Sequence, residues 1–513
     1  MTSNSMALLF SAVRVAVIPF IVLVVLCKLW KLLRFGENRQ RYSALDGKCG
    51  RRLGATEALL DYAQERFGFM LNVNVALIGC KEMISPEQAM AAIKKLCQRH
   101  PVLRCRISKG PSKKISDRFL VEDREFLPQF DVVEDTDWRP TFHNELKTKL
   151  NADDGLWRVK MFQPTKQTDD NQDKLVYPFI FSFNHCCVDG ASIMAGVNRN
   201  FLSFLEQELN HDCVDIESLP LLDTRENIFR ELYIGTVSFC LLLCDMFFGK
   251  SDFTEMDPHV NSLYDVVRPE NTEPATKLLT FTLDENESKK LISKCKELNV
   301  KVNGFMTAAV ALATRELLLR HHLIDDSEDV TFRSAFMVNL RRFATSSQIP
   351  DHALGKLNSM VSMKIEVPPI HNRSPKSFAA LSEKFHTRVH SKIYSNDHFR
   401  DTKKLDFAAA YFGERFSEAL LDMPGKGHLF YITNRGAFHL KASEEENPKC
   451  SFEGTYWATA EHMAGISLFT HSLCSVNGRA FWSMAFSLHM VHQTLAEEYI
   501  ANIKDIILEM TED

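Results

Sequence analysis

Alternating apolar and polar residues predict several short strands along this chain. In residues 71–79, LNVNVALIG, apolar side chains alternate with Asn72 and Asn74, which predicts a strand buried on one face. The stretch SLFTHSLCSVNGRAFWSMAFSLHM contains two strand-like runs separated by Asn477 and Gly478. An Asn-Gly pair between two such runs predicts a tight β-hairpin.

Apolar residues at helical spacing predict long helices between these strands. Residues 85–100, SPEQAMAAIKKLCQRH, predict a helix whose N-terminus is closed by a capping box between Ser85 and Gln88. Residues 302–323, VNGFMTAAVALATRELLLRHHL, predict a long apolar helix capped by Asn303. Both patterns indicate helices that pack against a sheet.

One junction between a strand and a helix carries polar residues. The apolar, aromatic-rich run from Leu175 to Phe183 predicts a buried strand, and the sequence FSFNHCCVDG takes the chain from its end to Gly190. A helix is predicted next, because apolar residues recur at helical spacing at Ile193, Met194, Val197, Phe201, Leu205 and Leu209. Such a junction can hold polar side chains rigidly at a cleft.

The strand and helix alternation resumes after a crossover and divides the soluble part into two halves. Residues 279–298 predict a strand followed by a helix, and residues 330–340 predict another strand. We therefore expect an α/β protein with an N-terminal half at 45–215, a crossover at 216–265 and a C-terminal half at 266–513.

The first 36 residues predict a membrane anchor. The apolar run Ala7–Cys27 is about long enough to cross a bilayer, although Arg14 leaves open a shallower, interfacial helix. Basic residues follow the run, which predicts that the rest of the protein lies on the cytosolic side. A second apolar segment, 232–249, is short for a span. It predicts a buried helix, a helix dipping into the membrane or, least favoured, a second span.

Composition and charge exclude some functions. The chain has 513 residues, 45% of them hydrophobic and 25% charged, and a formal net charge of −5, which argues against a nucleic-acid partner. Thirteen cysteines without a CxxC pair predict reduced, buried thiols rather than disulfides or a zinc site. We interpret His489 and His492 as histidines on a surface helix and expect no bound metal.

His185 and Asp189 are the candidate catalytic residues of the junction. The chain lacks the motifs of serine hydrolases, P-loop enzymes, zincins and dinucleotide-binding proteins, and no motif supplies His185 with a nucleophile. A lone imidazole suits direct general-base catalysis on an acceptor hydroxyl or amine. Asp189 would then cap the following helix and pair with an arginine, and Cys186 and Cys187 would be packing thiols. The alternative is a buried structural histidine beside a capping aspartate.

The sequence NHCCVDG resembles the HxxxD signature of the CoA-dependent acyltransferase superfamily, which includes chloramphenicol acetyltransferase, condensation domains, alcohol acetyltransferases and wax ester synthases. Six further segments resemble motifs of these proteins in the expected order: RRLGATE, AIKKLCQRHPVLRCRI, DGLWRVKMF, FMVNLRRF, LGKLNS and YITNRG. The resemblance covers residues 50–510. It departs from the double-histidine condensation domains at Asn184, which replaces the first histidine.

The resemblance implies a fold and a set of site residues. The fold would be two chloramphenicol-acetyltransferase-like α/β halves with a tunnel between them. The general base would be His185, followed by the structural Asp189 and Gly190. The partner of Asp189 would be Arg341, with Arg342 as the alternative. Supporting polar groups near the reacting centre would be Thr433 and Asn434.

The resemblance also implies a function. Acyl-CoA would be a co-substrate, with no cofactor held by the protein, and the acyl group would pass to a hydrophobic alcohol or lipid. The anchor favours a membrane enzyme, which we place at the endoplasmic reticulum with its catalytic part facing the cytosol. Two alternatives stay open: N-acylation of an amine, and an inactive relative that serves as a membrane-bound lipid-binding or scaffold protein.

Overall fold

The computed structural model describes most of the chain beyond residue 49. The described residues are 50–112, 114–151, 155–169, 172–232, 259–270, 272–344, 349–350, 352–370, 373–422, 427–462 and 467–512. The predicted anchor at 1–36 and all but the first residue of the apolar segment 232–249 therefore lie outside the described residues. Among those described, one helix, Val302–Arg320, is long and apolar enough to cross a membrane, but 78% of an apolar 18-residue stretch of it is buried inside the protein, as in a core helix.

The described residues alternate between strands and helices. The strands are β1 Gly50–Arg52, β2 Leu71–Cys80, β3 Cys105–Lys109, β4 Arg118–Glu122, β5 Gln129–Val133, β6 Trp157–Phe162, β7 Thr165–Asp169, β8 Gln172–Asn184, β9 Thr276–Leu283, β10 Val330–Asn339, β11 Asn358–Val367, β12 His428–Phe438, β13 Cys450–Thr459, β14 Ser467–Val476 and β15 Arg479–Ser487. The longer helices are Ala55–Phe67, Pro86–Arg99, Arg139–Lys147, Arg199–Leu209, Val260–Val267, Glu285–Glu297, Val302–Arg320, Pro375–Tyr394, Asp397–Asp422 and Gln493–Thr511.

The strands form two large sheets and one small sheet. In the N-terminal half the order is β13-β2-β8-β6-β5, with β7 paired to β8. In the C-terminal half the order is β11-β10-β12-β14-β15-β9, in which β12 runs parallel to both neighbours. A three-stranded sheet, β1-β4-β3, flanks the first half. The mixed α/β class with two lobes agrees with the sequence-based prediction.

The second half of the chain contributes one strand, β13, to the sheet of the first lobe. β13 pairs antiparallel with β2 from Cys450 to Thr459, more than 350 residues apart in sequence. Side chains of this strand, including Phe452 and Trp457, are buried in the core of the first lobe. The chain after residue 266 therefore contributes to both lobes.

The strand β2 differs from its prediction. We expected one polar face, but nearly every residue from Leu71 to Cys80 is buried. The reason is that helix Arg139–Lys147 and strands β9 and β15 cover one face, while the core of the first lobe covers the other. The buried side chain of Asn74 is satisfied there, because its Oδ1 accepts hydrogen bonds from Arg435 Nη1 at 3.0 Å and Thr455 Oγ1 at 3.1 Å. The carbonyl oxygen of the Asn74 side chain is thus bound by partners from the second half of the chain.

Local capping and turn predictions have mixed outcomes. The capping box is confirmed, since Gln88 N donates to Ser85 Oγ and Ser85 N donates to Gln88 Oε1. The hairpin turn is confirmed at Asn477 and Gly478, whose φ angles of 49° and 86° suit an Asn-Gly pair. The predicted cap Asn303 is wrong. It lies inside the first turn of helix Val302–Arg320, where its carbonyl accepts from Thr307 Oγ1.

Candidate active site

A turn held by Asn184 connects β8 to the following helix. Asn184 Nδ2 donates to Asp61 Oδ1 at 2.8 Å, and its Oδ1 accepts from the backbone N of Cys186 at 3.1 Å. Its carbonyl oxygen accepts from the backbone N of Cys187 at 3.2 Å. One buried amide therefore fixes the start of the loop that carries His185.

The ring of His185 has a defined tautomer. Its Nδ1 lies 3.0 Å from the carbonyl oxygen of Val188, so Nδ1 carries the proton and donates it there. Nε2 is then the unprotonated nitrogen, with a single lone pair in the plane of the ring. Burial, assisted by the neighbouring Lys356 and Arg435, holds the pKa of His185 well below its usual range. His185 is consequently a neutral base at physiological pH.

Lys356 occupies the lone pair of His185. Its Nζ lies 2.9 Å from His185 Nε2, and its side chain is almost fully buried. Burial lowers the pKa of Lys356 to about 7, although the Asp189 carboxylate opposes this shift. Sequence reasoning missed this residue. It lies within the segment LGKLNS, but at a position that the family resemblance does not mark.

Asp189 is the centre of a buried hydrogen-bond network. Its Oδ1 accepts from the backbone N and the Oγ of Ser192 at 2.8 and 2.9 Å, at the start of the π-helical turn Ser192–Asn198. Its Oδ2 accepts from the backbone N of Leu357 at 2.9 Å. Asp189 thus caps its own helix and, at the same time, holds a segment of the second half of the chain.

Arg341 is the residue that pairs with Asp189. Its Nη1 lies 3.0 Å from Oδ1 and 2.9 Å from Oδ2, and its Nη2 donates to Ser192 Oγ and to the carbonyl of Ala353. Burial alone would raise the pKa of Asp189, but the charge and hydrogen bonds of Arg341 lower it below the usual value. The alternative, Arg342, lies against the ring of Phe343.

Gly190 makes room for an arginine of the second half. A Cβ at this position would lie 2.8 Å from Cγ of Arg435 and 3.1 Å from its Nε. Arg435 is buried, stacks 3.6 Å from the centroid of the Trp457 ring and donates to Asn74. Its Nε and Nη2 are buried and have no hydrogen-bond partner among the described residues. Burial lowers the pKa of Arg435 to about 9.

Thr433 and Asn434 lie on β12, directly before Arg435. The Oδ1 of Asn434 accepts from the backbone N of Gly436 at 2.8 Å, at an irregularity in the pairing of β12 with β14. Within the described part of the chain, neither residue forms a hydrogen bond with His185. The side chain from this segment that contacts the loop His185–Gly190, here called the HxxxDG loop, is Arg435. It belongs to the segment YITNRG but is not among the site residues predicted from the sequence.

The two cysteines of the loop are buried thiols. Cys187 Sγ donates to the carbonyl of Asn184 at 3.0 Å. Burial raises the pKa of Cys186 well above its usual value, so the reactive thiolate is disfavoured. Both thiols are free, as are the other described cysteines.

Polar contacts from the RRLGATE segment and the crossover support the site from outside. Arg51 forms a salt bridge with Glu57 at 2.6 Å, and its Nε donates to the carbonyl of Leu222. Arg225 Nη1 donates to the carbonyl of Asn358 at 2.6 Å, two residues after Lys356. The two residues that follow Lys356 are therefore held by Asp189 and by Arg225 of the crossover.

No group of three or more His, Cys, Asp or Glu side chains that could hold a metal ion occurs among the described residues. His489 and His492 lie in the turn before helix Gln493–Thr511 rather than on a helix, and His489 Nδ1 is hydrogen-bonded to Ser487. The prediction of a surface helix for these two histidines was wrong.

Comparison with known proteins gives matches in structure only. No family model and no curated protein matches the chain. TRI3 trichothecene 15-O-acetyltransferase from Fusarium sporotrichioides has a TM-score of 0.64 at 12% identity, covering 92% of this chain and 97% of that one. Polyketide synthase associated protein 5 from Mycobacterium tuberculosis has a TM-score of 0.58 at 14% identity, covering 90% and 98%. The condensation domain of Monacolin K polyketide synthase MokA has a TM-score of 0.57 at 9% identity, covering 90% and 97%.

Each of these structures aligns with at least 90% of this chain, and the aligned part therefore includes residues of both lobes. At this level of identity the likeness concerns the fold, and it agrees with the resemblance of the sequence motifs. The chain has the fold of the CoA-dependent acyltransferases and condensation domains.

Proposed function

We propose that the protein is a membrane-tethered acyltransferase that moves an acyl group from acyl-CoA to the hydroxyl of a hydrophobic alcohol or lipid. The observation that carries this proposal is the tautomer of His185, whose Nδ1–H is bound to Val188 and whose Nε2 keeps a lone pair. A neutral imidazole held in this way can take a proton from an acceptor hydroxyl.

The proposed reaction uses a single general base. His185 Nε2 removes the hydroxyl proton while the acceptor oxygen attacks the thioester carbonyl. The tetrahedral intermediate then expels the thiolate of CoA, which receives the proton from Nε2. Asp189 and Arg341 have no part in the proton transfer. They hold the loop of His185 against the second half of the chain.

Hydrogen-bond donors near the loop would stabilise the negative oxygen of the intermediate. Thr433 and Asn434 keep the role that the resemblance implies. Arg435 is a further candidate, since its Nε and Nη2 groups lack partners among the described residues. Donors of this kind are worth a few kcal/mol in other acyl-transfer enzymes, about 3 to 4 for one well-placed group.

Tethering to the endoplasmic reticulum, with the catalytic part in the cytosol, is proposed from the apolar and basic pattern of residues 1–36. Removal of these residues is expected to release the protein from membranes in a sedimentation assay. Continued sedimentation would assign membrane binding to segment 232–249.

The activity is tested by screening acyl-CoAs of graded length against alcohols, sterols, diacylglycerol and amines, with detection of free CoA. His185→Ala is expected to abolish CoA release while the protein stays folded. His439→Ala, at an exposed histidine outside the site, serves as the matched control. Turnover by His185→Ala at the wild-type rate would refute the base assignment, and preferred amine acceptors would redirect the proposal to N-acylation. A folded wild-type protein that releases no CoA with any pair would indicate the inactive scaffold.

A further inference from the structure

The contact between Lys356 and His185 places an amine where the acceptor must bind. Because Nδ1 of His185 is bound to Val188, the only lone pair of the ring is on Nε2, and Lys356 Nζ lies on it at 2.9 Å. The hydroxyl of an acceptor has to donate its proton to the same lone pair. Lys356 therefore makes the hydrogen bond that a bound acceptor would make.

The surroundings of Lys356 favour the free amine. Its side chain is only 5% exposed, and among the described residues no carboxylate forms an ion pair with it. A buried ammonium without a carboxylate partner is costly, which is why burial lowers the pKa of Lys356 to about 7. An uncharged amine keeps its own lone pair while one of its N–H groups donates to Nε2, and a desolvated lysine of this kind is a nucleophile.

The hydrogen bonds of Asp189, which orient the loop of His185, also fix the position of Lys356. The backbone N of the next residue, Leu357, donates to Asp189 Oδ2 at 2.9 Å, and Asp189 also caps the helix that follows the loop. Two residues on, the carbonyl of Asn358 accepts from Arg225. Lys356 and His185 are thus positioned by the same hydrogen-bond network, which is centred on Asp189.

We propose that Lys356 is an acyl acceptor of this site, so that the protein acylates its own lysine when acyl-CoA binds without an alcohol. The proposal rests on the proposed use of acyl-CoA. In the reaction the Nζ lone pair attacks the thioester carbonyl, and His185 Nε2 removes one N–H proton. The bond between carbon and sulfur breaks with its electron pair on sulfur, and the proton passes from Nε2 to that thiolate. The products are an Nζ-acyl-lysine amide and free CoA.

Acylation of Lys356 would switch off transfer to other acceptors. The amide nitrogen is no longer nucleophilic, and the acyl chain fills the space beside His185. The modified protein is then a covalently inhibited state that forms when donor is abundant and acceptor is scarce.

The test uses the purified full-length protein with acetyl-, octanoyl- and palmitoyl-CoA as separate probes and no alcohol. Intact mass spectrometry is expected to show one added acyl group, and peptide mapping is expected to place it on Lys356. His185→Ala and Lys356→Met should each abolish this modification. Lys364→Arg, at a lysine of the adjacent strand β11, should retain it. Hydroxylamine treatment distinguishes an amide, which survives, from a thioester on Cys186 or Cys187, which is cleaved.

Preincubation supplies a second readout that does not depend on the initial rate of a variant. Wild-type protein preincubated with acyl-CoA should lose transfer activity in proportion to the acylated fraction, and an excess of accepted alcohol should slow that loss. Whatever the initial rate of Lys356→Met, its activity should show no such time-dependent loss.

The rate of self-acylation is expected to depend on pH. Asp189 and Glu57 face Lys356 with negative charge, Arg225 faces it with positive charge, and the thiol of Cys186 is also close. With a pKa of about 7, the free-amine fraction, and hence the rate, should rise about tenfold from pH 6 to pH 8.

The outcomes separate this inference from the proposed function. If alcohols are acylated through His185 while Lys356 stays unmodified, self-acylation is refuted and the acyltransferase stands. If His185→Ala is acylated on Lys356 as fast as wild type, the modification is not catalysed by the site and the inference fails. If neither alcohols nor Lys356 are acylated by any probe, both proposals fail.

Discussion

Removing the carboxylate of Asp189 should destabilise the protein more than a single lost hydrogen bond would. The side chains of Asp189 and Arg341 are 3% and 8% exposed, so Asp189→Ala leaves a buried guanidinium without its counter-charge. Breaking such a pair costs about 3–5 kcal/mol in the free energy of unfolding. The backbone N of Leu357 also loses its acceptor, which adds to the loss.

A double-mutant cycle isolates the interaction between the two side chains. Arg341→Ala leaves Asp189 with the backbone N and hydroxyl of Ser192 and the backbone N of Leu357, so its cost should lie at the lower end of that range. The double variant contains neither charge, and its cost should fall below the sum of the single costs by about 0.5–3 kcal/mol. Urea denaturation of the full chain, followed by tryptophan fluorescence, measures all four proteins.

The pair of Arg158 and Glu145 is the matched control, because its side chains are 5% and 3% exposed and form no hydrogen bond with residues 185–190 among the described contacts. Glu145→Ala should lower the free energy of unfolding by a similar amount, yet the transfer rate per folded molecule should be retained. Asp189→Ala should lower both, since the loop that carries His185 loses its anchor. Additive costs in the cycle, or full turnover per folded Asp189→Ala molecule, would refute this reasoning.

Two further predictions concern a close contact and pH. Gly190→Ala should destabilise the fold by about 1–3 kcal/mol through its contact with Arg435, and Arg435→Ala should relieve that loss in the double variant. Gly355→Ala, whose Cβ would meet its nearest atom at 3.4 Å, is the control, and an equal loss at both glycines would contradict the steric argument. Burial lowers the pKa of His100 and His471 to about 3, below the unfolded value of about 6.5, so their stabilising contribution is complete above pH 6.5 and decreases as the pH falls. Between pH 7 and pH 5, the free energy of unfolding should therefore fall by about 2 kcal/mol less in His471→Gln than in wild type, as measured by urea denaturation. An identical pH dependence of the two proteins would refute this.

The local patterns of the sequence predicted the elements that carry the site. The apolar run before Asn184 and the helical spacing after Gly190 placed His185 at a junction, which the structure shows as the end of β8. The capping box at Ser85 and the Asn-Gly hairpin were predictable for the same reason. Each of these features depends on contacts between residues a few positions apart, so a short stretch of sequence is enough to predict it.

Features that depend on distant segments were not predictable in this way. The burial of both faces of β2 requires β13, which joins the sheet from the second half of the chain. Arg435 reaches Gly190 only because the fold brings β12, more than 230 residues later in the chain, against the HxxxDG loop. A glycine after the aspartate indicates a close approach, but nothing near it in the sequence identifies the approaching side chain.

The charges around His185 connect these observations to the proposed chemistry. Asp189 is neutralised by Arg341, whereas Lys356 and Arg435 have no carboxylate partner in the described part of the chain. Burial, together with the charge of the Arg435 guanidinium, keeps the imidazole neutral, which a general base requires. The charge of Arg435 would also favour negative charge on the oxygen of a tetrahedral intermediate, in a buried site where such interactions are weakly screened. Asp189 therefore matters beyond its own loop: by holding the backbone of Leu357 it also keeps the amine of Lys356 beside the base.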